Sequence, residues 1–209
     1  PVVSDAEVLV RLRRLTLEHP DFARLSTLVG GLSTDFYVQR LLRPAVLGGS
    51  DRASADQNAD GAGVIDESAG QVGGLIAEVH RLVIVGGPGL GKTQLLHDVG
   101  RRMAAGDYPG IPLFVRLYDL ARRGEGRDLA QFALEEAFGE QLEPREIERI
   151  TAVLRRQAAD DSPIFLFDGL DEVPVHQQED VLARVRRVHR FVLTSRPIGP
   201  IQVLQDVSG

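Results

Sequence analysis

Residues 82–93 read Leu82-Val83-Ile84-Val85-Gly86-Gly87-Pro88-Gly89-Leu90-Gly91-Lys92-Thr93, and this stretch decides the fold. Its four consecutive apolar residues suit a strand buried on both faces. The eight residues that follow match the phosphate-loop pattern G-x-x-x-x-G-K-[ST]. Each residue type in the pattern has a physical task. Glycines let successive backbone N–H groups converge on phosphate oxygens with no Cβ in the way. A helix opening at Gly91 would add the positive end of its dipole to the same spot. Lys92 supplies a compact charge for the β- and γ-phosphates, and Thr93 a hydroxyl for Mg²⁺. Lys92 is the only lysine among 24 Lys and Arg residues, so an ammonium stands here in a chain that otherwise uses guanidinium. The candidate nucleotide contacts are Gly87, Pro88, Gly89, Leu90, Gly91, Lys92, Thr93 and Gln94. The competing reading is a glycine-rich turn without function.

Outward from this loop, helical periods and apolar runs alternate. A helix from Gly91 to about Ala105 precedes the run Ile111–Leu117, which reads as a second strand. Helices are expected near 128–138 and 145–158, then a strand over Pro163–Phe167, a helix over Gln178–Val188 and a strand over Phe191–Thr194. Strands alternating with helices imply a parallel sheet covered on both sides. A short helix over Val72–Val79 leads into the first strand, and Ile201–Leu204 is a candidate fifth strand. Towards the N-terminus, Val8, Leu9, Leu12 and Leu15 recur at helical spacing within residues 5–19. That is an amphipathic helix, with Asp5 its expected cap and Pro20 its stop. A second short helix follows from Asp21 to Val29, and Gly48–Gly63, small and acidic, reads as an exposed loop. The first 63 residues are expected to form an appendage outside the core. The implied division is a helical segment over 1–47, a flexible linker over 48–71 and the α/β core over 72–209.

Composition narrows the function classes. The 209 residues are 43% hydrophobic and 26% charged, which is the balance of a globular chain. A formal net charge of −6 argues against nucleic-acid binding as the main role. With no cysteine, thiolate metal sites, disulfides and cysteine nucleophiles are excluded. No apolar run approaches the roughly 20 residues that cross a bilayer, and no signal peptide opens the sequence, so a cytoplasmic protein is expected. Pro1 opens the chain and Met103 is its only methionine, which suggests a piece of a longer protein.

Two further stretches carry chemistry. Ile164-Phe165-Leu166-Phe167-Asp168-Gly169-Leu170-Asp171-Glu172 ends an apolar strand in a carboxylate. Asp168 there suits Mg²⁺, held through a water because that ion dehydrates reluctantly. The position directly after Asp168, where many hydrolytic relatives place the water-activating acid, is Gly169. Asp171 and Glu172 are the next carboxylates, and either could polarise an attacking water; a solvated pair of loop acids is the alternative. Phe191-Val192-Leu193-Thr194-Ser195-Arg196-Pro197 ends its strand in polar residues and an arginine. Arg196 could read a γ-phosphate and so distinguish ATP from ADP. Pairing with a surface acid is the alternative.

In this order and wording, the three motifs resemble the NACHT family of signal-transducing STAND NTPases. GGPGLGKT is similar to that family's phosphate loop, FLFDGLDEVP to its acidic strand end and VLTSRP to its sensor strand; IPLFVRL is like its second strand. The resemblance covers about residues 72–200. It implies a P-loop NTPase three-layer sandwich with a parallel sheet of strand order 5-1-4-3-2. It also implies an ATP/ADP switch that is closed with ADP and self-associates with ATP, with Lys92, Arg196, Asp171 and Glu172 in the catalytic roles and Thr93 and Asp168 on Mg²⁺. In the family a segment before the core packs near the adenine. Tyr37 and Val38 are candidates for that contact, with ordinary helix packing as the alternative. Family members continue into a small helical domain and a winged-helix domain that supplies a histidine to ADP. None of His19, His80, His97, His176 or His189 is equated with it. The leading expectation is a slow ATP-hydrolysing switch module of a signalling or defence protein. The second is a nucleotide-holding assembly scaffold with negligible turnover. A small-molecule kinase, the third, shares the loop but lacks an acceptor pocket and an arginine-bearing lid.

Overall fold

The apolar runs become four parallel strands of one sheet in a computed structural model that describes residues 4–21, 80–157 and 162–196. They are β1 (Arg81–Val85), β2 (Ile111–Arg116), β3 (Pro163–Asp168) and β4 (Phe191–Ser195), in the order β1-β4-β3-β2. This is the α/β sandwich with the implied order, less the candidate fifth strand, which lies outside the described residues. Register sets Val83 opposite Leu193, Phe165 opposite Phe191 and Val115 opposite Phe167. All four strands therefore end at the same edge.

Alternation along the central strands feeds two cores. Phe165 and Phe167 of β3, with Phe191 and Leu193 of β4, face one side. Ile164, Leu166 and Val192 face the other. The first side is covered by α3 (Leu117–Arg123), α4 (Leu129–Phe138), α5 (Pro144–Leu154) and α6 (Val175–Val185). The second is covered by α2 (Lys92–Ala105), through Leu95, Leu96, Val99 and Met103. His97 of α2 is also buried, its ring centroid 4.7 Å from that of Phe114, and burial pushes its pKa down.

Helix α1 (Asp5–Glu18) corrects the reading of the first 63 residues as an appendage for the part of them that is described, residues 4–21. Val8, Leu9 and Leu12 are buried in the larger core, Leu12 completely. The helix touches α2, α5 and β2, and so wraps the β2 edge of the sheet. Polar ties hold it there: Arg13 Nη1 donates to the Met103 carbonyl at 2.6 Å, Arg11 pairs with Glu146, and Arg156 with Asp5 at 3.1 Å. Its cap is Ser4, not Asp5. Ser4 Oγ accepts from Glu7 N–H at 3.3 Å while Glu7 Oε2 accepts from Ser4 N–H at 2.7 Å, a reciprocal box that satisfies two orphan donors.

Two more expectations shift. β2 ends at Arg116, and Leu117 opens α3, a helix that the apolar run concealed. Leu117 and Leu120 are buried one turn apart, Asp119 lies in the first turn and Arg122 and Arg123 in the last, which suits the helix dipole. The helix expected over 178–188 runs from Val175 to Val185, with Pro174 as its N-cap, a position where a missing N–H costs nothing. Tyr37 and Val38, the 48–71 linker and the 72–79 helix lie outside the described residues.

Candidate functional site

The carboxyl edge of the sheet gathers the three sequence motifs. β1 hands the chain directly to the glycine loop, whose Gly86 N–H donates to the Ser195 carbonyl at 3.1 Å and so ties the loop's start to the tip of β4. Gly89 and Gly91 have φ of 72° and 77°, the left-handed conformation that glycine adopts at least cost. The turn they make lets α2 begin at Lys92, with its first backbone bond running from Leu95 N–H to the Gly91 carbonyl at 2.9 Å. Pro88, Gly89 and Leu90 form an exposed tip. Lys92 bends back over the loop, its ammonium donating to the Gly86 and Gly87 carbonyls at 2.9 Å each. Gln94 lies in the first turn of α2 and is half-buried.

Across from the loop, Thr93 Oγ1 donates to Asp168 Oδ2 at 2.8 Å. The other oxygen of that carboxylate, Oδ1, accepts from Thr194 Oγ1 at 2.6 Å. Thr194 is fully buried and accepts in turn from the Gly169 N–H at 3.1 Å. Its hydroxyl is thus donor to the carboxylate and acceptor from the next peptide, which fixes the rotamer of Asp168. Thr194 was not among the candidates from sequence. The only hint was a polar residue closing an apolar strand, one of many such positions in any α/β chain.

The chain after Asp168 turns sharply. Gly169 has φ of 75°, and a Cβ there would lie 3.2 Å from the carboxyl carbon of Glu172. This explains why no acid occupies the position after Asp168: backbone geometry there favours glycine, and the acids come one short 3₁₀ turn later, over Leu170–Glu172. Asp171 and Glu172 then part company. The Asp171 side chain is 6% exposed and faces β4, with Oδ1 accepting from the Arg196 N–H at 3.0 Å and Oδ2 lying 2.8 Å from Arg196 Nε. The Glu172 residue is exposed.

The donor set fits Mg²⁺. A hydroxyl and a carboxylate, both hard oxygen ligands, lie in contact at the start of the loop helix, and an ion that keeps several waters needs few protein ligands. Among the described residues no group of three or more His, Cys, Asp or Glu side chains could hold a metal by itself.

A loop-helix hydroxyl bonded to a strand-end carboxylate separates P-loop NTPases from other parallel α/β proteins with glycine-rich turns. That is the class the fold and the site define. The NACHT domain family model matches residues 80–205, more than half of the sequence, and the chain belongs to the NACHT domain family. It is accordingly a nucleotide-binding NTPase module. No curated protein and no solved structure matches the chain. No helix among the described residues is long and apolar enough to cross a membrane.

Proposed function

We propose that this chain is the ATP- and ADP-binding switch module of a signalling or defence protein, that it hydrolyses ATP slowly, and that its ATP-bound form assembles with other copies. The observation that carries this reading is the Thr93–Asp168 contact of 2.8 Å beside the phosphate loop. The loop N–H groups of Gly87 to Thr93 would cradle the phosphates, and Lys92 would exchange its two carbonyl acceptors for β- and γ-phosphate oxygens. Thr93 and Asp168 would hold Mg²⁺, which when bound neutralises charge on the phosphates. Arg196 would meet the γ-phosphate. A carboxylate of the Asp171–Glu172 pair would orient water for in-line attack, forming the bond to γ-phosphorus as the bond to the bridging oxygen breaks, with ADP and phosphate released.

The experiment is to denature the purified protein, identify any released nucleotide by chromatography, and titrate the wild type and Lys92→Ala with labelled ATP and Mg²⁺. We expect one nucleotide per chain and about a hundredfold weaker ATP binding in the variant. Equal binding by Lys92→Ala would sink the reading. A scaffold that holds nucleotide with little turnover is the second reading, favoured by Asp171 being engaged with Arg196. Mg²⁺-dependent phosphate release separates the two.

A further inference from the structure

Two carboxylates stand next to each other at the site, and the structure treats them differently. Both oxygens of Asp171 are engaged by one residue, Arg196: Oδ1 by its backbone N–H at 3.0 Å and Oδ2 by its Nε at 2.8 Å. The Asp171 side chain is 6% exposed while that of Arg196 is 47% exposed. A carboxylate held this way has both oxygens turned to the β4 tip, whereas the neighbouring Glu172 is exposed. It also orients the guanidinium, because a plane fixed through Nε leaves the two Nη groups to receive an anion in a fork.

We infer that Asp171 is a positioning residue that presents Arg196 to the γ-phosphate, and that water activation falls to Glu172. The inference rests on the proposed nucleotide reading and refines it. The β4 tip becomes a two-pronged clamp, with Thr194 fixing the carboxylate of Asp168 and Arg196 fixed by that of Asp171. Discrimination between ATP and ADP would then depend on an acid that touches neither.

The test measures equilibrium affinities for ATP and for ADP, with Mg²⁺, in the wild type, Asp171→Asn, Arg196→Ala, Arg196→Lys and the Asp171→Asn/Arg196→Ala double variant. Positioning predicts that Asp171→Asn lowers the preference for ATP over ADP by about tenfold, the scale of one charge-assisted hydrogen bond. Arg196→Ala should lower it as much, and the double variant no further. Removing a negative charge would by itself favour the more highly charged ATP, so the expected change runs against simple electrostatics. Arg196→Lys keeps the charge but has no Nε, and should lose most of the preference too; its side chain is at the surface, so it tests the idea even if Asp171→Asn fails to fold. Wild-type preference in Asp171→Asn, with turnover lost, would make Asp171 the water-orienting base and overturn the inference. So would wild-type preference in Arg196→Lys. If Arg196→Ala keeps the preference, the γ-phosphate reading of Arg196 fails, and the inference with it.

Discussion

The phosphate loop and the paired tips of β3 and β4 meet at one sheet edge but are built in opposite ways. The loop is a local structure: eight consecutive residues, two left-handed glycines and a helix start make the whole cradle. The tips are stitched from residues far apart in sequence, Thr194 to Asp168 and Arg196 to Asp171, and exist only when β3 and β4 lie side by side. The difference teaches where sensitivity lies. Damage to the loop should remove binding and spare the fold, whereas damage to the tips should couple ligand properties to stability.

The harshest way to break that separation is to cut the floor beneath both regions. Phe167 is fully buried one residue before Asp168, with its ring 5.6 Å from Phe165 and 5.8 Å from Phe191. Phe167→Ala should destabilise the domain by about 3–5 kcal/mol, measurable by denaturant unfolding. Lys92→Ala tests the loop alone. ATP affinity should drop about a hundredfold, roughly 2.7 kcal/mol, with an unfolding midpoint close to the wild type, because phosphate-loop lysines face ligand. An unfolded variant would show that the two carbonyl bonds of Lys92 hold the fold together. Thr194→Val, of nearly the same shape, tests the tips. It leaves Asp168 Oδ1 and the Gly169 N–H without their partner and should cost about 1–3 kcal/mol. It should also raise the Mg²⁺ concentration needed for half-maximal nucleotide binding. Thr194→Ser should restore both; a loss of stability with unchanged Mg²⁺ dependence would reduce Thr194 to packing.

The mildest effect separates the regions by pH. Burial lowers the pKa of His97 on the inner face of the loop helix, so the unfolded chain binds the proton more readily than the folded one. Its contribution is complete above the unfolded value of about 6.5 and is lost as pH falls through the lower folded value. The thermal unfolding midpoint should fall on acidification through that window, and His97→Gln should flatten the slope. A slope unchanged by His97→Gln would assign the effect to another group.

How much of this was legible in sequence follows from the same contrast. The β1 run and the loop were readable because their signal is contiguous. The strand order was supplied by the family resemblance rather than by periodicity. The apolar spacing of α1 announced a buried face, but Val8 and Leu12 do not say what they are buried against, and the helix turned out to join the main core. Leu117 looked like the end of a strand because Ile111–Val115 had already set an apolar rhythm; only the Asp119-to-Arg123 charge order distinguishes the helix. Gly169 read as a missing acid, and its positive φ was invisible. Thr194 and the Asp171–Arg196 pair lie beyond any local pattern, since their partners are 25 or 26 residues away.

The pairing of β1 with β4 also has a kinetic meaning. Among the described residues β4 is the only strand beside β1, and Arg81 meets Phe191, which lies 110 positions further along the chain. Contacts of such long sequence separation form late, because loop closure must precede any reward from pairing. The phosphate loop, for all its local character, is therefore anchored by the strand that, among the described residues, is the last of the sheet to be synthesised. On a ribosome the helices and β2–β3 could assemble first, while β1 waits for its neighbour. A nascent chain halted before Phe191 should carry the complete glycine motif and still bind no nucleotide.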